Sequence, residues 1–311
     1  LFMKPVVLLS TDQALLGQLQ SAFAPSAPQL RVVLANDPAA QEAQVAACWF
    51  PPVGSLSALP NLKLIHSVAA GVDHLANDPS QPALPVCRVV DPAHRQGMAE
   101  YVRWAVIHYH RDFDRALAQQ KQQVWQRHPQ RLAGEYHIGV MGLGSLGGAI
   151  ACELAEAGYA VRGWSRSARQ LSGVRTFSGP AEFDQFLDGL DLLINLLPLT
   201  DATRGILCQK TFEALAPNAA VINCGRGQHL QVDDLINAVN GGRLRGALLD
   251  VFEKEPLPLD SRLWNTPGIV VTPHMASCAS HDCIAQQVAE NARRLACAEP
   301  LLNQVDPALG Y

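Results

Sequence analysis

The chain has 311 residues, 48% of them hydrophobic, with a formal net charge of −4. That length predicts more than one buried core, most simply two domains. The slight acidity and the absence of charge runs argue against a nucleic-acid surface or a membrane-binding basic helix, and no apolar run reaches the length of a bilayer span. The eight cysteines form no CxxC pair. Neither a metal site nor a disulfide scaffold is therefore expected. With no secretory leader pattern, the expectation is free thiols in the cytoplasm.

In chain order, Pro5–Leu9 reads as a buried strand and Ala14–Phe23 as a helix. Leu30–Leu34, Ala46–Trp49 and Leu62–Ile65 read as further strands, giving a small parallel α/β unit. Residues 79–92 are rich in proline and read as connection. A long helix is predicted to start near Gln96. Its broad apolar coverage, from Tyr101, Trp104, Ile107 and Phe113, predicts burial on several sides, between domains or at a subunit interface.

The second half is a stronger repeat. Ile138–Met141, Ala160–Trp164, Leu192–Asn195, Ala220–Asn223, Ala247–Asp250 and Ile269–Thr272 read as strands, with a helix from Gly144 to Ala157. Near-continuous apolar strands separated by helices predict a parallel sheet covered on both faces. Ligands bind such sheets beyond the carboxyl ends of the strands, where Arg226, Asp250 and His274 fall. The last helix is placed between Ser280 and Ala298.

Gly142, Gly144 and Gly147 form G-x-G-x-x-G between a strand and a helix, with Ser145 and Leu146 inside the motif. The first glycine permits the tight turn, the second admits a pyrophosphate to the backbone, and the third lets helix and strand pack closely. A carboxylate for the ribose of NAD is expected about 20 residues further on. The chain reads Trp164-Ser-Arg-Ser-Ala-Arg169 there. Without a carboxylate, and with Ser165, Arg166 and Ser167 in its place, the turn favours a 2′-phosphate. NADP(H) is the expected cofactor, with NAD(H) second.

Three polar residues follow. Arg226 lies between Gly225 and Gly227, which would let a ligand approach the backbone, and its fork suits a carboxylate and the adjacent carbonyl oxygen. His274 follows Pro273 at a strand end and, taken alone, is more often structural. Glu255, if the fold brings it beside His274, would favour the imidazolium and make it an acid for a ketone oxygen; alone, between Lys254 and Pro256, it reads equally as a solvated loop charge. Cys224 reads as a small apolar filler bordering the nicotinamide. His108 and His110, two residues apart on a helix, make a poor metal pair.

These segments resemble the D-isomer-specific 2-hydroxyacid dehydrogenases. The resemblance is carried by VAAGVDHL at 68–75, GLGSLG at 142–147, NLLPLT at 195–200, NCGRG at 223–227, LLDVFEKEPLP at 248–258 and TPHMAS at 272–277. Within that family the chain is similar to a bacterial glyoxylate/hydroxypyruvate reductase A subgroup, through WFPPV at 49–53, the WSRS turn and the closing NQVDPALGY.

The resemblance implies an α/β fold of two Rossmann-like or flavodoxin-like domains with parallel sheets. Residues 97–280 would form a dinucleotide-binding domain inserted into a substrate domain of 1–96 plus 281–311. It implies that Arg226 binds substrate, that His274 is the acid/base and that Glu255 is its partner. Ala70 and Gly71 would bind the substrate carboxylate, and Trp49 would roof the pocket. Leu197 and Pro198 would line the adenosine, and Asp250 would lie near the nicotinamide carboxamide. Ser277-Cys-Ala-Ser280 departs from the family pattern.

The expected activity is NADPH-dependent reduction of glyoxylate and hydroxypyruvate, by a homodimer joined through the helix near 96–113. Alternatives are a dehydrogenase of a bulkier 2-keto acid and a corepressor-like nucleotide-sensing scaffold. A formate dehydrogenase needs no His–Glu pair, so Glu255 speaks against it.

Overall fold

The structure is a computed structural model that describes residues 4–75, 78–277 and 279–305. Cys278 of the departing segment and residues 306–311 of the closing one lie outside the described residues. The chain divides into two compact units, one of Leu1–Gln96 with Cys278–Tyr311 and the other of Gly97–Ser277.

The first unit holds strands β1 (Val6–Ser10), β2 (Val32–Leu34), β3 (Val45–Trp49), β4 (Leu64–Ser67) and β5 (Val86–Cys87). They form one sheet in the order β2-β1-β3-β4-β5, every pair parallel. This is the flavodoxin-like order. β1 is buried along its whole length, as a strand covered on both faces must be. Asp12 caps the helix Gln13–Ser26 by accepting from Ala14 and Leu15. That helix and the C-terminal helix His281–Ala296 cover the sheet, with Leu16, Leu19 and Phe23 meeting a core that includes Ile284 and Val288. β5 lies within the stretch read as connection. Its two residues pair with Ile65 and His66 at the sheet edge and are too short to show a pattern.

The second unit holds β6 (His137–Met141), β7 (Ala160–Ser165), β8 (Arg175–Ser178), β9 (Leu192–Asn195), β10 (Ala219–Asn223), β11 (Leu244–Leu249) and β12 (Ile269–Val271). Their order is β12-β11-β10-β9-β6-β7-β8, again parallel throughout. The strand order reverses between β6 and β9, the switch point at which open α/β sheets bind ligands. β8 was not read from the sequence. It is an edge strand that starts on an exposed arginine and buries only Phe177.

The long helix differs from its expected form. It runs Pro92–His110, and Phe113 opens a separate helix, Phe113–Lys121, after Asp112 turns the backbone left-handed. Arg245 fixes this junction through Asp112 at 2.7 Å and Asp114 at 2.5 Å. Met98, Val102, Ala105, Val106 and Tyr109 face the unit's core. Trp104 and Ile107 are each 45% exposed and Phe113 is 52% exposed. Burial on several sides therefore does not hold within one chain: one face is apolar and uncovered. Among the described residues, no helix is long and apolar enough to cross a membrane.

Candidate active site

The glycine turn lies at the switch point, after β6 and before the helix Ser145–Glu156. Gly142 has φ +97°, and a Cβ there would stand 2.7 Å from the Leu196 carbonyl oxygen. A Cβ on Gly147 would overlap the Gly142 carbonyl at 1.9 Å, so this helix can sit on its turn only with glycine there. Gly144 is the opposite case: a Cβ on it would meet nothing within 4 Å. It is the N-cap, with no side chain bonded to the first-turn amides, and Gly144 and Ser145 are exposed. An open glycine and unclaimed amides at a helix N-terminus fit a pyrophosphate.

At the end of β7, the Ser165 hydroxyl donates to the Ser167 carbonyl at 2.8 Å and shapes the turn. Arg166, Ser167 and Arg169 are exposed. The chemistry of this turn, hydroxyls and guanidiniums with no carboxylate, fits the 2′-phosphate of NADP. On the other side of the switch point, Leu197 is buried and Pro198 exposed. The Leu197 amide is tied to Asn195 Oδ1 at 3.2 Å.

The catalytic candidates come from three loops at the carboxyl ends of β10, β11 and β12. His274 Nδ1 lies 2.7 Å from Glu255 Oε2, with the two side chains 32% and 27% exposed. The Phe252 amide donates to Glu255 Oε1 at 2.9 Å. Burial pushes the Glu255 carboxyl up, but the hydrogen bond and charge of His274, the Phe252 amide and the charge of Arg226 outweigh it. The net pKa lies below the usual glutamate value. Arg226 donates from Nη1 to the Gly225 carbonyl at 2.7 Å.

The two glycines around Arg226 let the chain pack closely. A Cβ on Gly225 would fall 2.8 Å from Asn195 Nδ2 and 2.9 Å from His229 Nδ1. A Cβ on Gly227 would fall 1.9 Å from the Phe252 carbonyl carbon. The space beside each is already filled by protein. Gly227 thereby brings the Arg226 loop against the loop that carries Glu255.

Asp250, expected near a nicotinamide carboxamide, is 1% exposed. Its Oδ1 accepts from Thr272 Oγ1 at 2.7 Å and the Met275 amide at 2.9 Å, and its Oδ2 accepts from the Ala276 amide at 2.9 Å. Those donors flank His274, whose φ of +51° is left-handed. A non-glycine residue pays on the order of 1–3 kcal/mol for such backbone, so the surroundings must hold it. Asp250 does so from both sides. Tyr101 Oη lies 2.5 Å from Thr272 Oγ1 and extends the network into the helix Pro92–His110. Cys224 is buried, and burial raises its thiol well above the ordinary value, as suits a filler.

Sequence reasoning passed over Asn195, Asn223 and His229, all with 0% exposure. They interlock beneath the Arg226 loop, and the signal for them was faint: two polar residues closing apolar strands and one histidine in the turn after Arg226. In the first unit, Trp49 is half-buried and rests on Phe50 and His74, ring centroids 4.8 and 4.6 Å away. Ser67 Oγ donates to the Gly71 carbonyl at 2.8 Å and Arg88 Nη1 to the Ala70 carbonyl at 3.3 Å. Ser280, in the segment that departs from the family pattern, caps the C-terminal helix by accepting from the Cys283 amide at 3.2 Å.

Comparison with known proteins places the chain in a family. Residues 104–276 match the family described as D-isomer specific 2-hydroxyacid dehydrogenase, NAD binding domain. Glyoxylate/hydroxypyruvate reductase A of Serratia proteamaculans is 40% identical over 275 residues, spanning 86% of this chain and 88% of that protein. A D-isomer specific 2-hydroxyacid dehydrogenase from Xanthobacter autotrophicus Py2, solved in complex with NADPH and MES, superposes with a TM-score of 0.90 at 39% identity, covering 99% of this chain and 100% of that one. The NADPH-dependent glyoxylate/hydroxypyruvate reductase of Sinorhizobium meliloti, solved with NADP and sulfate, gives a TM-score of 0.90 at 35% identity, with the same coverage. The chain belongs to the D-isomer-specific 2-hydroxyacid dehydrogenases. It is an oxidoreductase with that family's α/β fold.

Proposed function

We propose that the chain reduces glyoxylate and hydroxypyruvate to D-2-hydroxy acids with NADPH, in the cytoplasm. The observation that carries this reading is the 2.7 Å contact of His274 Nδ1 with Glu255 Oε2, beside the Arg226 loop. The reductases of Serratia and Sinorhizobium, similar along most of the chain, support the choice of substrate and cofactor.

When bound, the reduced nicotinamide supplies the hydride. The protein supplies the rest. Gly142, Gly144 and Gly147, with the amides of Ser145 and Leu146, receive the pyrophosphate. Ser165, Arg166 and Ser167 take the 2′-phosphate, and Leu197 and Pro198 flank the adenosine. Arg226 binds the substrate carboxylate and polarises the carbonyl oxygen through its planar fork. Glu255 accepts from His274 Nδ1, which leaves the proton on Nε2 for the substrate oxygen. General acid help of this kind is worth about 100- to 10,000-fold. Asp250 holds the His274 loop. In the unit of residues 1–96 and 278–311, the Ala70 and Gly71 amides bind the carboxylate and Trp49 limits substrate size. Among the described residues neither of those amides meets a protein acceptor, which supports their role.

Two copies pair through the apolar face of Trp104, Ile107 and Phe113. Loss of NADPH absorbance on adding glyoxylate, hydroxypyruvate or a branched 2-keto acid tests the activity. Turnover is expected with the first two, at least about 10-fold better with NADPH than with NADH. NADPH binding without turnover of any keto acid would replace the enzyme with a nucleotide-sensing scaffold.

A further inference from the structure

We infer that His229 is the positioning residue that sets Arg226 for the keto acid, a role that rests on the reductase reading above. Arg226 lies in a loop between β10 and a single turn of 3₁₀ helix, Gly227–His229, so no regular element fixes it. Its main chain is nonetheless held at both ends. The Arg226 amide donates to His229 Nδ1 at 3.0 Å, and the Arg226 carbonyl accepts from Asn223 Nδ2 at 3.1 Å. These bonds fix the backbone on either side of the Arg226 Cα, and with it the origin of the guanidinium.

The ring can do this in one protonation state. Asn195 Nδ2 lies 2.9 Å from the same His229 Nδ1 and also donates to Asn223 Oδ1 at 2.9 Å. Two N–H donors converge on Nδ1, so that nitrogen must present its lone pair. The single ring proton is then on Nε2, which donates to the Pro198 carbonyl at 3.3 Å. His229 is neutral, wholly buried, and bridges the Arg226 loop to the segment proposed to flank the adenosine. Gly225 completes the design, since any side chain there would displace the ring or Asn195. His229 touches no reacting atom in this account; it acts through Arg226.

The test compares the parent with His229→Phe, which fills the space without an acceptor, and His229→Asn, whose Oδ1 stands near the place of Nδ1. Steady-state kinetics with hydroxypyruvate, NADPH binding by fluorescence and thermal melting are measured on each. A displacement of about 1 Å at a binding group costs about 100-fold. The Phe variant should lose about that much kcat/KM for the keto acid, with KM rising, while its NADPH Kd stays within about 3-fold because Thr203 Oγ1 still donates to the Pro198 carbonyl at 2.8 Å. The Asn variant should recover to within about 10-fold of the parent. A merely structural histidine would lower the melting temperature and leave the kinetics of the folded fraction unchanged.

An active parent with a Phe variant of equal kcat/KM overturns the inference and leaves the reductase reading intact. A parent that reduces no keto acid overturns the reading. In that case, or if the Phe variant does not fold, nitrogen-edited NMR of the parent decides the inference. A proton on His229 Nε2 with a slowly exchanging Arg226 amide upholds the positioning bond, and a proton on Nδ1 or a freely exchanging amide refutes it.

Discussion

Replacing Asp250 with asparagine separates two roles that a buried aspartate near a cofactor could hold. The carboxylate accepts from Thr272 Oγ1, the Met275 amide and the Ala276 amide, and offers no proton in return. Asparagine must place its NH2 group at one of the two oxygen positions. At Oδ2 it faces the Ala276 amide, and at Oδ1 it faces the Met275 amide; donor meets donor either way. The cost is one buried unpaired amide and the loss of charge assistance, about 1–3 kcal/mol. In a unit of this size each kcal/mol lowers the melting temperature by about 2–4 °C. The strained His274 backbone is released with the same stroke. Asp250→Asn should therefore melt lower, lose about 10- to 100-fold in kcat through misplaced His274, and bind NADPH nearly as the parent does. Calorimetry, steady-state kinetics and a fluorescence titration report the three quantities. A variant with parental melting and kcat but NADPH affinity down by about 10-fold would make Asp250 a cofactor ligand and refute the reasoning.

Glu255→Gln bears on pH. The carboxyl is depressed in the fold, so it contributes stability at neutral pH that is lost as pH falls through its folded value. The variant's melting temperature should fall less steeply in acid than the parent's, and an equally steep fall would show that Glu255 is not paired. Ser165→Asp with Arg166→Ala should remove the preference for NADPH, a change of roughly 10- to 150-fold in relative affinity, with kcat at saturating cofactor little altered; comparable efficiencies with both cofactors in the parent would contradict the reading of that turn. Ile107→Glu, placed on the uncovered helix face, should give a monomer by size-exclusion with light scattering, and an unchanged oligomer would move the interface elsewhere.

The two parallel sheets were legible because their strands are apolar runs separated by helices, and hydrophobic period reports burial directly. β8 and β5 were not, since a four-residue edge strand beginning on Arg175 and a two-residue strand among prolines carry no period. The helix start at Pro92 was open to reading: Asp91 accepts from the Ala93 amide at 2.8 Å, and proline suits the first helical position. At the site, the family resemblance implied Glu255 as the partner of His274, and the two side chains lie 2.7 Å apart. Residue type could not foretell why Gly225 and Gly227 are glycines, because the atoms they make room for come from His229, Asn195 and Phe252. Nor could it show what Asp250 holds, because its donors lie on a loop after the next strand. Spacing along the chain identifies groups with chemistry to offer; what holds them is settled by contacts between strand ends.

The most direct test of the account mixes NADPH-loaded protein with hydroxypyruvate in a stopped-flow instrument and follows a single turnover. Parent and His274→Ala are run side by side, with NADPH affinity measured on both. Matched affinities are expected, with oxidation of NADPH slowed by about 100- to 10,000-fold in the variant. Equal single-turnover rates would remove His274, and with it the Glu255 pairing, from the chemistry.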